Sequence, residues 1–140
     1  MTTKAVYYKT PAGCLTDGWM LAQAEKLNVV IEPADDFTLQ LDIDSDEAYD
    51  QALMNIELLM SLGREHAVMD LLVGESMMVR RSKGGNRHVT LGLRQALSVY
   101  ERLALQAILG SDPSRELLSM AGIRAGKDQP IVLFRPKETT

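Results

Sequence analysis

The chain has 140 residues, which is enough for one domain with a buried core and too few for two ordinary domains. Hydrophobic residues make up 46% and charged residues 24%, a balance that excludes wholesale disorder. Cys14 is the only cysteine, which excludes an intramolecular disulfide and a multi-cysteine metal site. No apolar run is long enough for a membrane span, and the N-terminal residues lack the apolar segment of a secretory signal. The sequence therefore predicts a cytoplasmic protein that does not enter a membrane.

The net charge of -4 conceals an uneven distribution along the chain. Residues 32–70 include eleven acidic residues and one basic residue, Arg64, whereas residues 80–94 include five basic residues and no acidic one. Two interpretations follow from this asymmetry. The segments form two oppositely charged solvated faces, or they form an acidic metal site beside a basic segment that binds phosphate.

The first 36 residues give only short structural signals, and they are interpreted as an extension packed on the core that follows. Residues 4–8 predict a short strand, and residues 18–27 predict a short helix. Residues 29–31 predict a strand or an extended connector, because an apolar run is bounded there by Asn28 and by Glu32-Pro33.

A clear strand pattern begins at Phe37, where apolar and polar side chains alternate over eight residues. The apolar ones are Phe37, Leu39, Leu41 and Ile43, and the polar ones are Thr38, Gln40, Asp42 and Asp44. A helix is predicted next, from Asp46 to Leu62, with Asp44 and Glu47 at the spacing of a capping box and Gly63 as its stop. Residues 64–73 are ambiguous between a short helix and a strand.

A hairpin is predicted in the basic part of the chain. Residues 76–81 and 87–93 are its strands, and residues 82–86 form its glycine-containing loop. The alternation in the second strand predicts that His88, Thr90 and Gly92 share one face.

Two helical segments and a strand follow the hairpin. Residues 97–109 predict a helix with Ser98 as N-cap and Gly110 as its stop. Pro113 occupies the favoured first position of a further helical turn, which Asp112 caps. Residues 129–134 predict a terminal strand, and residues 137–140 are expected to fray.

From Phe37 onward the predicted order is strand, helix, strand, strand, helix, strand. This is the ferredoxin-like order, which RNA-recognition domains share. The sequence therefore predicts a single α+β domain whose βαββαβ core, residues 37–140, forms a four-stranded antiparallel sheet with both helices on one face. The other face of the sheet is open, and the polar residues of the first strand are predicted to lie on it with His88.

The first candidate site is the pair Asp42 and Asp44. Two carboxylates at positions i and i+2 of a strand point to the same face, and such like charges usually need a cation or a shared proton. Divalent hard cations prefer oxygen ligands. An EF-hand is excluded, because Glu47 stands where glycine is required and Leu53 where a glutamate is required. The alternative is a solvated strand end followed by a helix cap.

The second candidate site is the basic hairpin, residues 80–88. Its paired glycines, Gly84 and Gly85, allow backbone amides to approach a phosphate, and its basic side chains neutralise the charge. The spacing differs from that of a Walker A loop. The alternative is a solvated basic hairpin, and His88 alone is typical of a surface strand. Asp112 is the third candidate, as a helix cap or as a ligand.

Together these segments resemble the catalytic core of the archaeo-eukaryotic primase superfamily, especially the primase–polymerase enzymes of plasmids and phages. The family's D-h-D motif, in which h is apolar, is matched by Asp42-Ile43-Asp44. Its S-x-G-x-x-H-like motif is matched by residues 82–88, and Asp112 matches its third acidic position. The resemblance covers residues 37–134.

The resemblance implies a nucleotidyltransferase that acts in DNA replication by a two-metal mechanism. It implies that Mg²⁺ or Mn²⁺ is held by Asp42, Asp44 and Asp112. It implies that a nucleoside triphosphate is bound by Ser82, Lys83, Gly84, Gly85, Arg87 and His88. Single-stranded DNA is the implied template, and a helicase or another replication protein is a candidate partner. The implied location is the bacterial cytoplasm, or the host cytoplasm if the protein is encoded by a phage.

Two binding functions are the alternatives. An RNA-recognition module stacks bases on aromatic side chains of its central strands, and the corresponding strands here offer carboxylates instead. The sequence therefore disfavours an RNA-recognition module. A catalytically inactive primase-like protein, such as a phage-encoded modulator that binds protein or nucleic acid, stays open. Its methionines would line an adaptable surface, although methionines also fill ordinary cores.

Overall fold

The computed structural model of the protein describes residues 9–10, 13–14, 25–26, 29–81, 85–126 and 132–136. The strand expected at residues 4–8 and the tail at residues 137–140 lie outside these ranges. Of the helix expected at residues 18–27, only residues 25–26 are described, and they are helical. Among the described residues, no helix has the length and apolar character needed to cross a membrane.

The elements are named in chain order. The strands are β1 (Lys9–Thr10), β2 (Gly13–Cys14), β3 (Val29–Pro33), β4 (Thr38–Ile43), β5 (Met78–Arg81), β6 (Arg87–Gly92) and β7 (Val132–Pro136). The helices are α1 (Asp46–Glu65), α2 (Val99–Leu109) and α3 (Pro113–Arg124), with a 3-10 turn at Ala67–Met69. The protein is therefore α+β, and from β4 onward it has the element order of a ferredoxin-like core.

The central sheet is antiparallel and has the strand order β4-β6-β5. In its register Leu41 is opposite Val89, and Val89 is in turn opposite Val79. This register confirms the hairpin of β5 and β6 and its pairing with the first core strand. The side chains of β4 and β6 thus alternate between two faces, one apolar and one polar.

The apolar face of the sheet packs against α1. The buried cluster includes Leu39, Leu41 and Ile43 of β4, Val89 and Leu91 of β6, and Ala52, Ile56 and Leu59 of α1. Burial of such aliphatic side chains contributes about 1.5–3 kcal/mol each to folding, which makes this layer the main source of stability. Phe37 was expected on the same face, but it precedes β4 and is 51% exposed.

The fourth strand of the expected sheet is absent from the ladder that the structure describes. Instead of pairing with β4, strand β7 pairs with β3 in antiparallel register, with Ile31 opposite Phe134. The expectation of a four-stranded sheet was wrong. Groups from α2 and from the loop that follows it occupy the outer edge of β4, where a fourth strand would pair. Gln106 Oε1 accepts from the Gln40 backbone N–H at 2.9 Å, and the Asp112 backbone N–H donates to the Asp42 carbonyl at 2.7 Å.

Helix α1 begins at Asp46 as predicted, but its capping residue and its C-terminal end differ from the sequence prediction. The N-cap is Ser45, whose Oγ accepts from the Ala48 backbone N–H at 3.0 Å, so the expected cap Asp44 was wrong. The helix also continues past Gly63 to Glu65. Gly63 does not end the helix. It allows the backbone near Met69 to pack closely against α1, because a Cβ atom at this position would lie 2.8 Å from the Met69 carbonyl oxygen. The C-terminal helices start as predicted, with Ser98 capping α2 and Asp112 capping α3.

Candidate functional site

The centre of the candidate site is a pair of residues on adjacent strands. Asp42 of β4 and His88 of β6 are opposite each other in the register, so their side chains share the polar face, as the alternation predicts. His88 Nε2 lies 3.5 Å from Asp42 Oδ1, and the two side chains are 9% and 20% exposed. This pair is mostly buried, but the Asp42 carboxylate stays accessible from one side.

The polar face is less open than the sequence predicts. Gln40 is only 1% exposed, because Arg115 of α3 reaches over the β4 edge and donates from Nη1 to the Gln40 carbonyl at 2.7 Å. The prediction of a fully open face was therefore wrong at this position. What remains accessible is the end of β4, where Asp42 lies.

The environment of Asp42 raises the pKa of its carboxyl group above the usual value. The largest cause is burial, which disfavours the charged form, and the negative charge of Asp112 acts in the same direction. The positive charges of His88 and Arg115 oppose this effect, and so does a long hydrogen bond of 3.5 Å from Asn86 Nδ2 to Asp42 Oδ1. A cation close to Asp42 would therefore stabilise the charged form of its carboxyl group.

Asp112 reaches the site through the loop that joins α2 to α3. Its backbone N–H donates to the Asp42 carbonyl, while the neighbouring Ser111 Oγ accepts from the Asp42 backbone N–H at 3.0 Å. The Asp112 side chain also caps α3, since its Oδ1 accepts from the Ser114 backbone N–H at 3.2 Å. The structure therefore confirms Asp112 as the cap of α3 and places its backbone against that of Asp42, while its role as a ligand stays a prediction.

Asp44 lies beyond the last residue of β4 and is exposed. In the described part of the chain, Asp44 neither caps α1 nor forms a hydrogen bond with Asp42. Across the described parts of the chain, no group of three or more His, Cys, Asp or Glu side chains is arranged to hold a metal ion. The structure thus brings Asp42, His88 and Asp112 together and leaves Asp44 at the solvent-exposed rim.

This donor set does not form a preformed three-residue metal site among the described residues, and Asp42 and Asp112 are the carboxylates that would contribute oxygen ligands to a magnesium or manganese ion. Magnesium usually keeps several waters and is held in proteins by one or two carboxylates together with substrate phosphates. Burial raises the pKa of the Asp42 carboxyl group, and the negative charge of the nearby Asp112 adds to this effect. The carboxylate oxygens of these two residues are the donors that such an ion prefers.

The basic hairpin divides its arginines between the two faces of the sheet. Arg87 is opposite Ile43 in the register and thus points to the face that carries α1. There its Nη1 lies 2.8 Å from Asp46 Oδ1, and its guanidinium lies 4.3 Å from the centre of the Tyr49 ring. Arg87 therefore fastens β6 to the first turns of α1, on the face opposite His88.

The loop of the hairpin is described only in part. Ser82, Lys83 and Gly84, which the resemblance assigns to nucleotide binding, lie outside the described residues. Gly85 has a positive φ of 90°, a conformation that favours glycine, and nothing lies within 4 Å of the position of a Cβ atom. A larger residue at position 85 would therefore be disfavoured by the backbone conformation and not by a neighbour among the described residues.

The sequence analysis missed Arg115 and included Asn86 and Arg80 only as members of the basic hairpin. Asn86 contacts Asp42, and its position two residues before His88 gives it the same strand face. Arg80 is opposite His88 in the register, a relation that the hairpin spacing contains. Arg115 approaches from α3, and no sequence pattern announces it, because its placement depends on how α3 packs over β4.

Comparisons of the chain with protein-family models, with curated proteins and with solved structures found no match.

Proposed function

We propose that this protein is a divalent-metal-dependent nucleotidyltransferase of the primase–polymerase type. The observation that carries the proposal is the meeting of Asp42, His88 and Asp112, which are distant in sequence, at one end of the polar sheet face. In the motif resemblance these three residues act together with Asp44, which lies at the exposed rim. An acidic pair beside a histidine and a basic hairpin suits a reaction between nucleotides, whose phosphates need both metal and cationic partners.

The carboxylates of Asp42 and Asp112 bind the metal in this proposal, and Asp44 joins them from the exposed rim. When bound, the metal ions activate a 3′-hydroxyl and stabilise the pyrophosphate leaving group. The chain's own contribution is to hold Asp42 and Asp112 side by side before the nucleotide arrives. The backbone hydrogen bond between these two residues keeps them together, which limits the reorganisation that binding requires.

His88 binds the nucleotide in this proposal. Its Nε2 lies 3.5 Å from the Asp42 carboxylate, which orients the imidazole toward the acidic side of the site. Once a cation engages Asp42, the Nε2 proton is available to a phosphate oxygen of the substrate. Burial of the imidazole keeps it in place and strengthens such a hydrogen bond, because the local dielectric constant is low.

The test is a calorimetric titration of Mn²⁺ with and without a nucleoside triphosphate, followed by primer synthesis on single-stranded DNA. We expect weak metal binding alone and strong binding with the nucleotide, because phosphate oxygens complete the coordination. Asp42→Asn and Asp112→Asn should abolish the strong binding and the synthesis. Asp70→Asn is the matched control, since Asp70 pairs with Arg94 on the exposed surface, away from β4. No strong binding by the wild-type protein would contradict the proposal.

A second candidate function is binding without catalysis. The observation that favours it is that the Asp112 carboxylate is engaged as the cap of α3 and Asp42 is paired with His88, so that no three-residue metal group is formed in the described residues. An inactive relative would bind nucleotide or single-stranded DNA and form no phosphodiester bond. Nucleotide binding that depends on Asp42, without synthesis under any metal, would favour this candidate.

A further inference from the structure

The register of the central sheet aligns three side chains of the polar face in one row. Asp42 of β4 is opposite His88 of β6, and His88 is opposite Arg80 of β5. Because neighbouring strands lie about 4.8 Å apart, Asp42 and Arg80 are separated by about 10 Å across the sheet. The row therefore runs from a carboxylate through an imidazole to a guanidinium, and its charge changes from negative to positive.

The other described arginines of the hairpin do not share this face. Arg81 is opposite Arg87 in the register, so both point to the side of the sheet that carries α1. Arg81 Nη1 donates to the Gly85 carbonyl at 3.1 Å, and Arg87 is engaged by Asp46 and Tyr49. Of the three, Arg80 alone stands on the same face as His88.

We propose that Arg80 binds the terminal phosphates of a nucleoside triphosphate whose inner phosphates lie beside Asp42 and His88. This inference rests on the proposed function and assigns a substrate-binding residue that the motif resemblance does not include. A guanidinium presents a planar fork of N–H donors that matches phosphate oxygens, so it is suited to the most highly charged end of the ligand. A triphosphate chain extended across the three strands would meet metal at one end and Arg80 at the other.

The charge order of the row favours a triphosphate over the backbone of a nucleic acid. A phosphodiester backbone carries one charge per nucleotide and brings no terminal phosphate to the basic end of the row. A triphosphate brings its own divalent cation, which neutralises the acidic end of the row, and leaves its terminal phosphates for the basic end. The predicted role of Arg80 is therefore specific to ligands with terminal phosphates.

The experiment compares Arg80→Gln with the matched control Arg81→Gln. Both variants remove one positive charge from β5, and glutamine at position 81 keeps a donor for the Gly85 carbonyl. Affinity is measured by calorimetry with Mn²⁺ and three probes: ATP, AMP and a single-stranded oligothymidylate without a triphosphate. Circular dichroism checks that each variant keeps its fold.

We expect Arg80→Gln to weaken ATP binding about tenfold or more, because a hydrogen bond between charged partners is lost. AMP and oligothymidylate binding should change little in the same variant. Arg81→Gln should bind ATP within about twofold of the wild type, because exposed charges off the binding face contribute little. Arg80→Lys should recover part of the affinity, since it keeps the charge without the fork.

Four outcomes would overturn the inference, and they are distinguishable. If the wild type binds ATP and Arg80→Gln binds it equally well, Arg80 is not a ligand-binding residue, and the proposed function stands. Equal losses in both glutamine variants, or equal losses for ATP and oligothymidylate, would mean a general effect of charge. If the wild type binds no ATP with Mn²⁺, the inference and the proposed function fail together.

Discussion

Replacing Arg115 by methionine tests how the outer edge of β4 is held. Arg115 Nη1 donates to the Gln40 carbonyl at 2.7 Å and to Glu116 Oε2 at 2.6 Å. The side chains of Arg115 and Glu116 are 12% and 5% exposed, so this ion pair is largely withdrawn from water. Methionine fills a similar volume without a charge, which leaves the Glu116 carboxylate buried and a strand carbonyl without this donor.

The expected loss is about 3–5 kcal/mol of unfolding free energy, because removal of one partner leaves a buried charge uncompensated. That is a large part of the stability of an ordinary domain and corresponds to a fall of about 10–20 °C in the melting temperature. Denaturation by urea, followed by circular dichroism, measures the unfolding free energy. The control is Arg94→Met, which breaks an exposed ion pair with Asp70 and should cost less than about 1 kcal/mol.

The double variant Arg115→Met/Glu116→Gln separates the buried charge from the lost hydrogen bond. Glutamine at position 116 is neutral and still accepts from Gln106 Nε2, which lies 3.0 Å from Glu116 Oε1 in the native protein. We expect the double variant to be more stable than Arg115→Met alone, because the uncompensated charge is gone. An Arg115→Met variant that loses less than about 1 kcal/mol would refute the reasoning, since the β4 edge would then be held by other contacts.

Three further predictions follow from local contacts. Ser45→Ala should cost about 1 kcal/mol of unfolding free energy and Asp44→Ala much less, because Ser45 caps α1; equal losses in urea denaturation would contradict this. Gly63→Ala should cost about 1–3 kcal/mol of unfolding free energy in spite of alanine's helix propensity, because its Cβ would lie 2.8 Å from the Met69 carbonyl oxygen. The control Gly74→Ala should change the unfolding free energy little, because its Cβ would meet only the flexible end of Met60 at 3.4 Å. Asp35 accepts hydrogen bonds from Thr38 Oγ1 and the Phe37 N–H, which hold its pKa below the usual value of 3.8. Its stabilising contribution is therefore present above about pH 3.8 and is lost as the pH falls through the lowered pKa, so Asp35→Asn should destabilise the protein at neutral pH and not in strong acid.

The elements that sequence predicted well are those with a clear hydrophobic period. β4 and β6 alternate, and α1 and α2 repeat at helical spacing, because each buries one face against the other layer. The cap of α1 was missed by one position, since Asp44, Ser45 and Asp46 all have side chains that can cap a helix and the pattern cannot choose among them. Helix length was missed at Gly63 because the reason for that glycine is a contact with a later loop.

The partner of β7 was not predictable in the same way. Whether a terminal strand joins a sheet depends on whether the sheet edge is free, and Gln106 and Arg115 take the Gln40 groups that a strand would use. Nothing in the pattern of residues 129–134 carries that information. The face on which Arg87 lies, in contrast, could be predicted from the sequence. Residues 87 and 88 are adjacent in one strand, so their side chains must point to opposite faces of the sheet.

The contacts that close the β4 edge also set the geometry of the candidate site. The N–H and carbonyl groups of Gln40 and Asp42 face the outer edge of β4. They are engaged by Gln106, Arg115, Ser111 and Asp112. The last of these contacts holds Asp112 beside Asp42, so the spacing of the two carboxylates depends on the docking of α3. A fourth strand at this edge would occupy the same backbone groups and displace Asp112 from Asp42. The exclusion of β7 from the sheet and the pairing of the two acids are therefore two consequences of one set of hydrogen bonds.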